Sequence, residues 1–150
     1  MYTKEEKKEL VTKFWEGFSF YCSCLPYLRR RKRKWLLHHS KVSNVRLKFD
    51  PGRDNVKVIL EIFHKDESKR LAQYEKIEMY KVILEEGFEN GLIWDFTGRL
   101  ETGEEVCRIY TEKTGLDMHK ISEWKEIYDF MAEKMYLLEK NFLQIRELIE

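Results

Sequence analysis

What this sequence lacks narrows it first. Its three cysteines are too few, and odd in number, for a disulfide framework, so reduced thiols and a cytoplasmic setting are expected. No apolar run approaches the ~20 residues of a membrane-spanning helix, and the opening MYTKEEKKEL is charged where a signal peptide has its apolar core. No membrane association is expected. A glycine-rich phosphate loop and a dinucleotide fingerprint are both missing. So are low-complexity segments and any internal linker. His64 and His119 stand alone, and no nucleophile–base–orienter set can be assembled from them. Cys22 and Cys24 lie one residue apart, which on a helix points their sulfurs ~200° apart. The adjacent His38 and His39 are poor joint ligands, since structural zinc sites use wider spacings. No catalytic residue, metal or cofactor is assigned.

What is present describes one ordinary domain spanning residues 1–150. A hydrophobic fraction of 43% with 14% aromatic is globular. Charged residues at 37% exceed the usual ~25%, which calls for heavily solvated outer faces. The net charge of +1 carries no information about partners, but its distribution does. Arg29, Arg30, Arg31, Lys32, Arg33 and Lys34 form one unbroken basic block, closed by Trp35. Setting those six aside from the 28 basic residues leaves 22 against 27 acidic, so a mildly negative body carries a dense positive knot.

The periodicities set the order of elements. Thr3 and Glu6 match a capping box, and Leu10, Val11, Phe14, Trp15, Phe18, Tyr21 and Leu25 recur every three or four residues up to Pro26, which ends a first helix. Val45, Leu47 and Phe49 alternate with Arg46 and Lys48 in a strand. Turn residues from Asp50 to Asn55 follow, then a second strand with Val56, Val58, Leu60 and Ile62 on one face and Lys57, Ile59, Glu61 and Phe63 on the other. So short a connection predicts an antiparallel hairpin. One long amphipathic helix is predicted next, capped by Asp66, stopped by Gly87, with Leu71, Tyr74, Ile77, Ile83 and Leu84 inward. A second strand pair is read at Gly91–Phe96 and Glu104–Thr111, joined by a Gly98–Gly103 loop. Ser122 is expected to cap a final helix carrying Trp124, Ile127 or Tyr128, Met131, Met135, Leu138, Phe142, Ile145 and Ile149 on one stripe.

The reading is therefore an α+β fold: an antiparallel sheet of about four strands in α-ββ-α-ββ-α order, with the N- and C-terminal helices packed together. Packing of the last helix on the Phe14/Trp15/Phe18 face is favoured over a dimeric coiled coil, because Tyr and Phe are poor seam residues.

Several phrases carry a resemblance. They are FWEGF, the LP before the basic block and Trp35, VRLKFD, EIFHKDE followed by Arg70, the lone Trp94, and RIY ahead of the terminal helix with Trp124 at its entry. Together they resemble an uncharacterised bacterial and archaeal domain-of-unknown-function family over nearly the whole chain. The resemblance implies small stand-alone proteins, or modules C-terminal to restriction-endonuclease-like nuclease domains, and hence nucleic acid nearby. It implies no catalytic residues. The basic block is longer here than the resemblance leads one to expect, and Cys22, Cys24 and the His38-His39 pair look peculiar to this chain.

Two groups of residues could carry chemistry. Close like charges repel by ~1 kcal/mol per pair in water, so the block Arg29–Lys34 is relieved by an anion. Phosphates are one candidate, with Trp35 able to stack on an unpaired base. A solvated loop, compensated by the chain's own acids, is the plainer account, and a nuclear localisation signal is a third. Arg46, Lys48, Lys57, Glu61, Arg108 and Tyr110 all point away from the apolar stripes of their strands. If helices cover the other side, they share an open face that could grip a phosphate; ordinary cross-strand charge pairing is the simpler reading. A restriction-type nuclease core wants an acid on one strand, then an acid and a lysine two apart on the next. Asp50 or Asp54 and Glu61 could be the acids, but Phe63 stands where the lysine belongs.

The leading expectation is a non-enzymatic accessory module that binds nucleic acid, or a nuclease-type partner protein, through Arg29–Trp35 and the Arg46/Lys48/Arg108 face. The alternative is a structural or regulatory protein that dimerises through 122–150 with no nucleic-acid role. A homodimer is the less favoured of the two.

Overall fold

A computed structural model describes residues 2–30 and 34–150. Among these, helix α1 (Lys4–Cys24) is followed by a short α2 (Pro26–Arg29), then strands β1 (Val45–Pro51) and β2 (Asn55–Ile62). Helices α3 (Glu67–Glu78) and α4 (Lys81–Leu84) lead to β3 (Ile93–Arg99) and β4 (Glu105–Thr114), and α5 (Trp124–Ile149) closes the chain. The strands form one antiparallel sheet in the order β1-β2-β4-β3. No helix of the described residues is long and apolar enough to cross a membrane.

Strand alternation decides the two faces of the sheet. Leu47 pairs with Leu60 and Leu60 with Ile109, and Val45, Ile62 and Cys107 continue the same apolar row. This face receives the helices. Along α5, Met131, Met135, Leu138, Phe142 and Ile145 are fully buried against it, each worth ~1.5–3 kcal/mol of transfer free energy. α1 lies beside α5 on the same side. The Phe14 ring meets Trp124 at 5.4 Å and Tyr128 at 5.1 Å, and Phe18 meets Tyr128 at 5.6 Å. The terminal helices thus pack on each other, and among the described residues no helix lies on the polar face of the sheet.

Thr3 starts α1 by accepting a hydrogen bond from the Glu6 backbone N–H at 3.1 Å, and Asp66 does the same for α3 through Lys69 at 3.2 Å. Pro26 sits at the first position of α2, where its missing N–H costs nothing. Gly87 turns the chain after α4 with φ of +87°, in the left-handed region that favours glycine.

Several boundaries differ from the sequence expectation: β1 runs on to Pro51, β3 starts at Ile93 rather than Gly91, β4 runs on to Thr114 rather than Thr111, and three further differences have a visible cause. The single long helix after Asp66 is two: the ladder tightens at Met79–Tyr80, where the Tyr80 N–H donates to the Ile77 carbonyl three residues back. Residues 67–84 contain neither proline nor glycine to mark this break. β3 runs past Phe96 to Arg99 because Asp95 Oδ1 accepts from both the backbone N–H and the hydroxyl of Thr97, folding out a bulge before pairing resumes at Gly98 and Val106. The expected Gly98–Gly103 loop shrinks accordingly to a turn closed by Gly103 N–H donating to the Leu100 carbonyl. Ser122 does not cap α5. It lies inside a 3-10 turn, Ile121–Glu123, that runs straight into the helix, with Glu123 at the N-cap position and its carboxylate turned to accept from the Asp117 N–H at 2.8 Å.

Candidate functional site

The basic segment leaves α2 and re-enters the described chain at Lys34. Arg29, Arg30 and Lys34 are exposed, and among the described residues no carboxylate pairs with any of them. Arg31, Lys32 and Arg33 lie outside the described residues. Trp35 is half-buried with its ring edge-on to Phe49 at 5.6 Å.

The chain beyond Trp35 is held tightly. The buried Glu139 of α5 accepts a hydrogen bond from the Leu36 N–H at 2.9 Å, and the Leu47 N–H of β1 donates to the Leu37 carbonyl at 3.1 Å. Ser40, also buried, donates to the Val45 carbonyl at 2.6 Å. Three non-glycine residues here adopt left-handed backbone: Leu37 at φ 42°, Lys41 at 66° and Asn44 at 62°. Asparagine tolerates that region, whereas leucine and lysine store strain in it, ~1–3 kcal/mol each. The surrounding hydrogen bonds hold that strain in place.

This arrangement opens a cleft of about 610 Å³ between α1 and the Lys34–Leu37 segment. Its aromatic wall is Trp15, Phe18, Trp35 and Phe49, with the Trp15 and Phe18 rings 6.3 and 5.0 Å from Phe49. Ser19, Cys22 and Ser23 contribute polar groups, Arg29 and Lys34 charge, and no carboxylate lines it among the described residues. Trp15 is 37% exposed, while its neighbours on the helix, Phe14 and Phe18, are buried. Helical spacing alone reads Trp15 as core, so the sequence held no signal for this cleft beyond the position of Trp35.

On the opposite face of the sheet, Arg46, Lys48 and Arg108 converge as their strand registers require, but they converge on Glu61. The Glu61 side chain is fully buried. Its Oε2 accepts from the Arg46 guanidinium through both Nε and a terminal nitrogen, while Lys48 Nζ lies 3.5 Å and Arg108 Nε 3.8 Å from Oε1. Arg46 also stacks over the Phe63 ring at 4.3 Å, and Lys57 over Tyr110 at 5.0 Å. Arg108 passes over Gly98, where a Cβ would come within 3.4 Å of its Nε, and donates to the Arg99 carbonyl. Long side chains thus roof a face that no helix covers, and its cations have a first partner inside the molecule. Glu61, the acid weighed for a nuclease core, is engaged by these cations.

A smaller hollow of about 320 Å³ surrounds Arg70. This buried guanidinium donates to the His64 carbonyl at 3.0 Å and to Glu105 at 3.1 Å, and Arg99 holds the other Glu105 oxygen at 3.0 Å. Acids and bases balance there, and the arrangement ties α3 to β4. Among the described residues no group of three or more His, Cys, Asp or Glu side chains is placed to hold a metal ion.

No curated protein and no solved structure matches the chain. The model of a domain of unknown function, DUF4268, matches residues 10–146, and the chain belongs to that family.

Proposed function

We propose that the chain is a non-enzymatic accessory module that binds nucleic acid through the basic segment Arg29–Trp35. The observation that carries this reading is that Arg29, Arg30 and Lys34 are exposed and without a carboxylate partner among the described residues, and that Arg29 and Lys34 line an aromatic cleft with no acid among its described lining residues. Phosphates answer the cations and release counterions on binding. The cleft answers an aromatic ring. The resemblance set out above, which implies modules placed behind nuclease domains, supports the same reading. Arg46, Lys48 and Arg108 play a lesser part in it, because Glu61 already draws on their charge.

A titration of DNA and RNA at about 50 and about 200 mM salt tests the proposal, with Arg29→Ala/Arg30→Ala/Lys34→Ala in parallel. The expected result is steep salt dependence whose slope falls by up to about 2–3 in the triple variant, since each phosphate contact contributes ~0.7–0.9 to it. Absence of binding, together with a concentration-dependent dimer in sedimentation, would overturn it in favour of the dimerising alternative.

A further inference from the structure

From the shape and lining of the cleft we infer a selectivity: it seats one unpaired base, so the protein takes single-stranded nucleic acid in preference to duplex. This deepens the reading above and rests on it. The cations alone would bind either form, because both present phosphates. The cleft discriminates.

Three observations point the same way. The aromatic wall of Trp15, Phe18, Trp35 and Phe49 offers ring faces and edges, and a base within a duplex has its faces stacked on its neighbours, while an unpaired base can turn a face outward. The volume of about 610 Å³ lies within the ~300–1,000 Å³ range of pockets that enclose small molecules, room for a base and its sugar. The charge is one-sided, with Arg29 and Lys34 and no acid in the lining, which suits an aromatic group attached to an anion and disfavours a cationic or purely aliphatic occupant. Trp15 is the member to test. It is the open indole at the mouth, whereas Phe18 and Phe49 are seated deeper among other rings.

The experiment is fluorescence anisotropy with a labelled single-stranded DNA of roughly 20 nucleotides, longer than the ~4–16 one module covers, and with the same strand in duplex form. Wild-type protein is compared with Trp15→Ala and Trp15→Phe, each checked by thermal melting. The expected outcome is single strand bound at least about tenfold more tightly than duplex. Trp15→Ala should lose roughly tenfold of that affinity with its salt slope unchanged, since the base loses a stacking platform but no phosphate contact. Trp15→Phe should restore most of the loss.

Equal affinity for duplex, or wild-type affinity in Trp15→Ala, overturns the cleft inference and leaves the cationic contact standing. So does a loss that Trp15→Phe fails to restore and that follows a drop in melting temperature. Failure to bind either oligonucleotide removes both proposals.

Discussion

Tyr128 of α5 donates its hydroxyl hydrogen to the carbonyl oxygen of Phe14, 2.6 Å away in α1. The two helices can approach so closely because the next turn of α1 presents Gly17, where a Cβ would lie 2.5 Å from that hydroxyl oxygen. Ala is favoured over Gly in a helix by ~1 kcal/mol, so the sign of Gly17→Ala depends on Tyr128. In the wild-type background it should destabilise by about 1–2 kcal/mol through overpacking. In a Tyr128→Phe background the overlap with the hydroxyl disappears and the same substitution should be neutral or stabilising. Urea unfolding of the four proteins of this cycle measures the coupling, and additivity would show that the close approach is not real.

Alkaline pH should weaken the fold over a defined window. Burial pushes the phenols of Tyr74 and Tyr128 up to about 12, from the usual 10.0, with the Glu78 carboxylate adding to the effect at Tyr74. The folded state therefore keeps these protons after the unfolded chain has lost them. Below pH 10 both states are neutral at these groups and stability is unaffected. Between about 10 and about 12 stability should fall by ~1.4 kcal/mol per pH unit per group. Denaturant midpoints measured across that range should slope more gently in Tyr128→Phe.

Removing the carboxylate beneath the sheet's cations should be costly. Glu61→Gln leaves Arg46, Lys48 and Arg108 close together without their shared anion, and breaking a buried ion pair this way costs ~3–5 kcal/mol. Added salt should recover part of the loss. Lys48, a third of whose side chain is exposed, should cost under ~1 kcal/mol when changed to alanine. Comparable losses from the two variants, read by thermal melting, would contradict the central position given to Glu61.

Two of the three thiols should differ sharply in reactivity. Cys24 is exposed on α1, whereas Cys107 is buried within β4 and burial pushes its thiol up, against the lowering effect of nearby Arg70. An alkylating reagent at neutral pH should label Cys24 in the folded protein. It should reach Cys107 only on unfolding. Mass spectrometry of tryptic peptides before and after denaturant distinguishes the two.

The faces of the sheet were legible because alternation is a strict code. Val56, Val58, Leu60 and Ile62 on one side and Lys57, Ile59 and Glu61 on the other follow from the pleat alone. The α5 stripe was legible for the same reason, its apolar spacing sustained from Ile127 to Ile149. What escaped was set by single hydrogen bonds: Asp95 folding out the bulge, Tyr80 breaking a continuous helical pattern, and Glu123 displacing Ser122 at the start of α5. The basic block could be seen in the sequence, but the cleft beside it could not. It exists only because the backbone turns through Leu37 and brings Trp35 against Phe49, a residue whose alternation reads as ordinary core.

The strand order β1-β2-β4-β3 has a kinetic meaning. Each hairpin, β1–β2 and β3–β4, closes over a short stretch of chain, but the sheet becomes one object only when β2 finds β4 across the whole α3–α4 crossover. The entropy of closing so large a loop must be met before that non-local pairing rewards it, which slows folding. Substitutions of residues paired across the β2–β4 seam, Leu60→Ala and Ile109→Ala among them, should therefore slow refolding and not only speed unfolding.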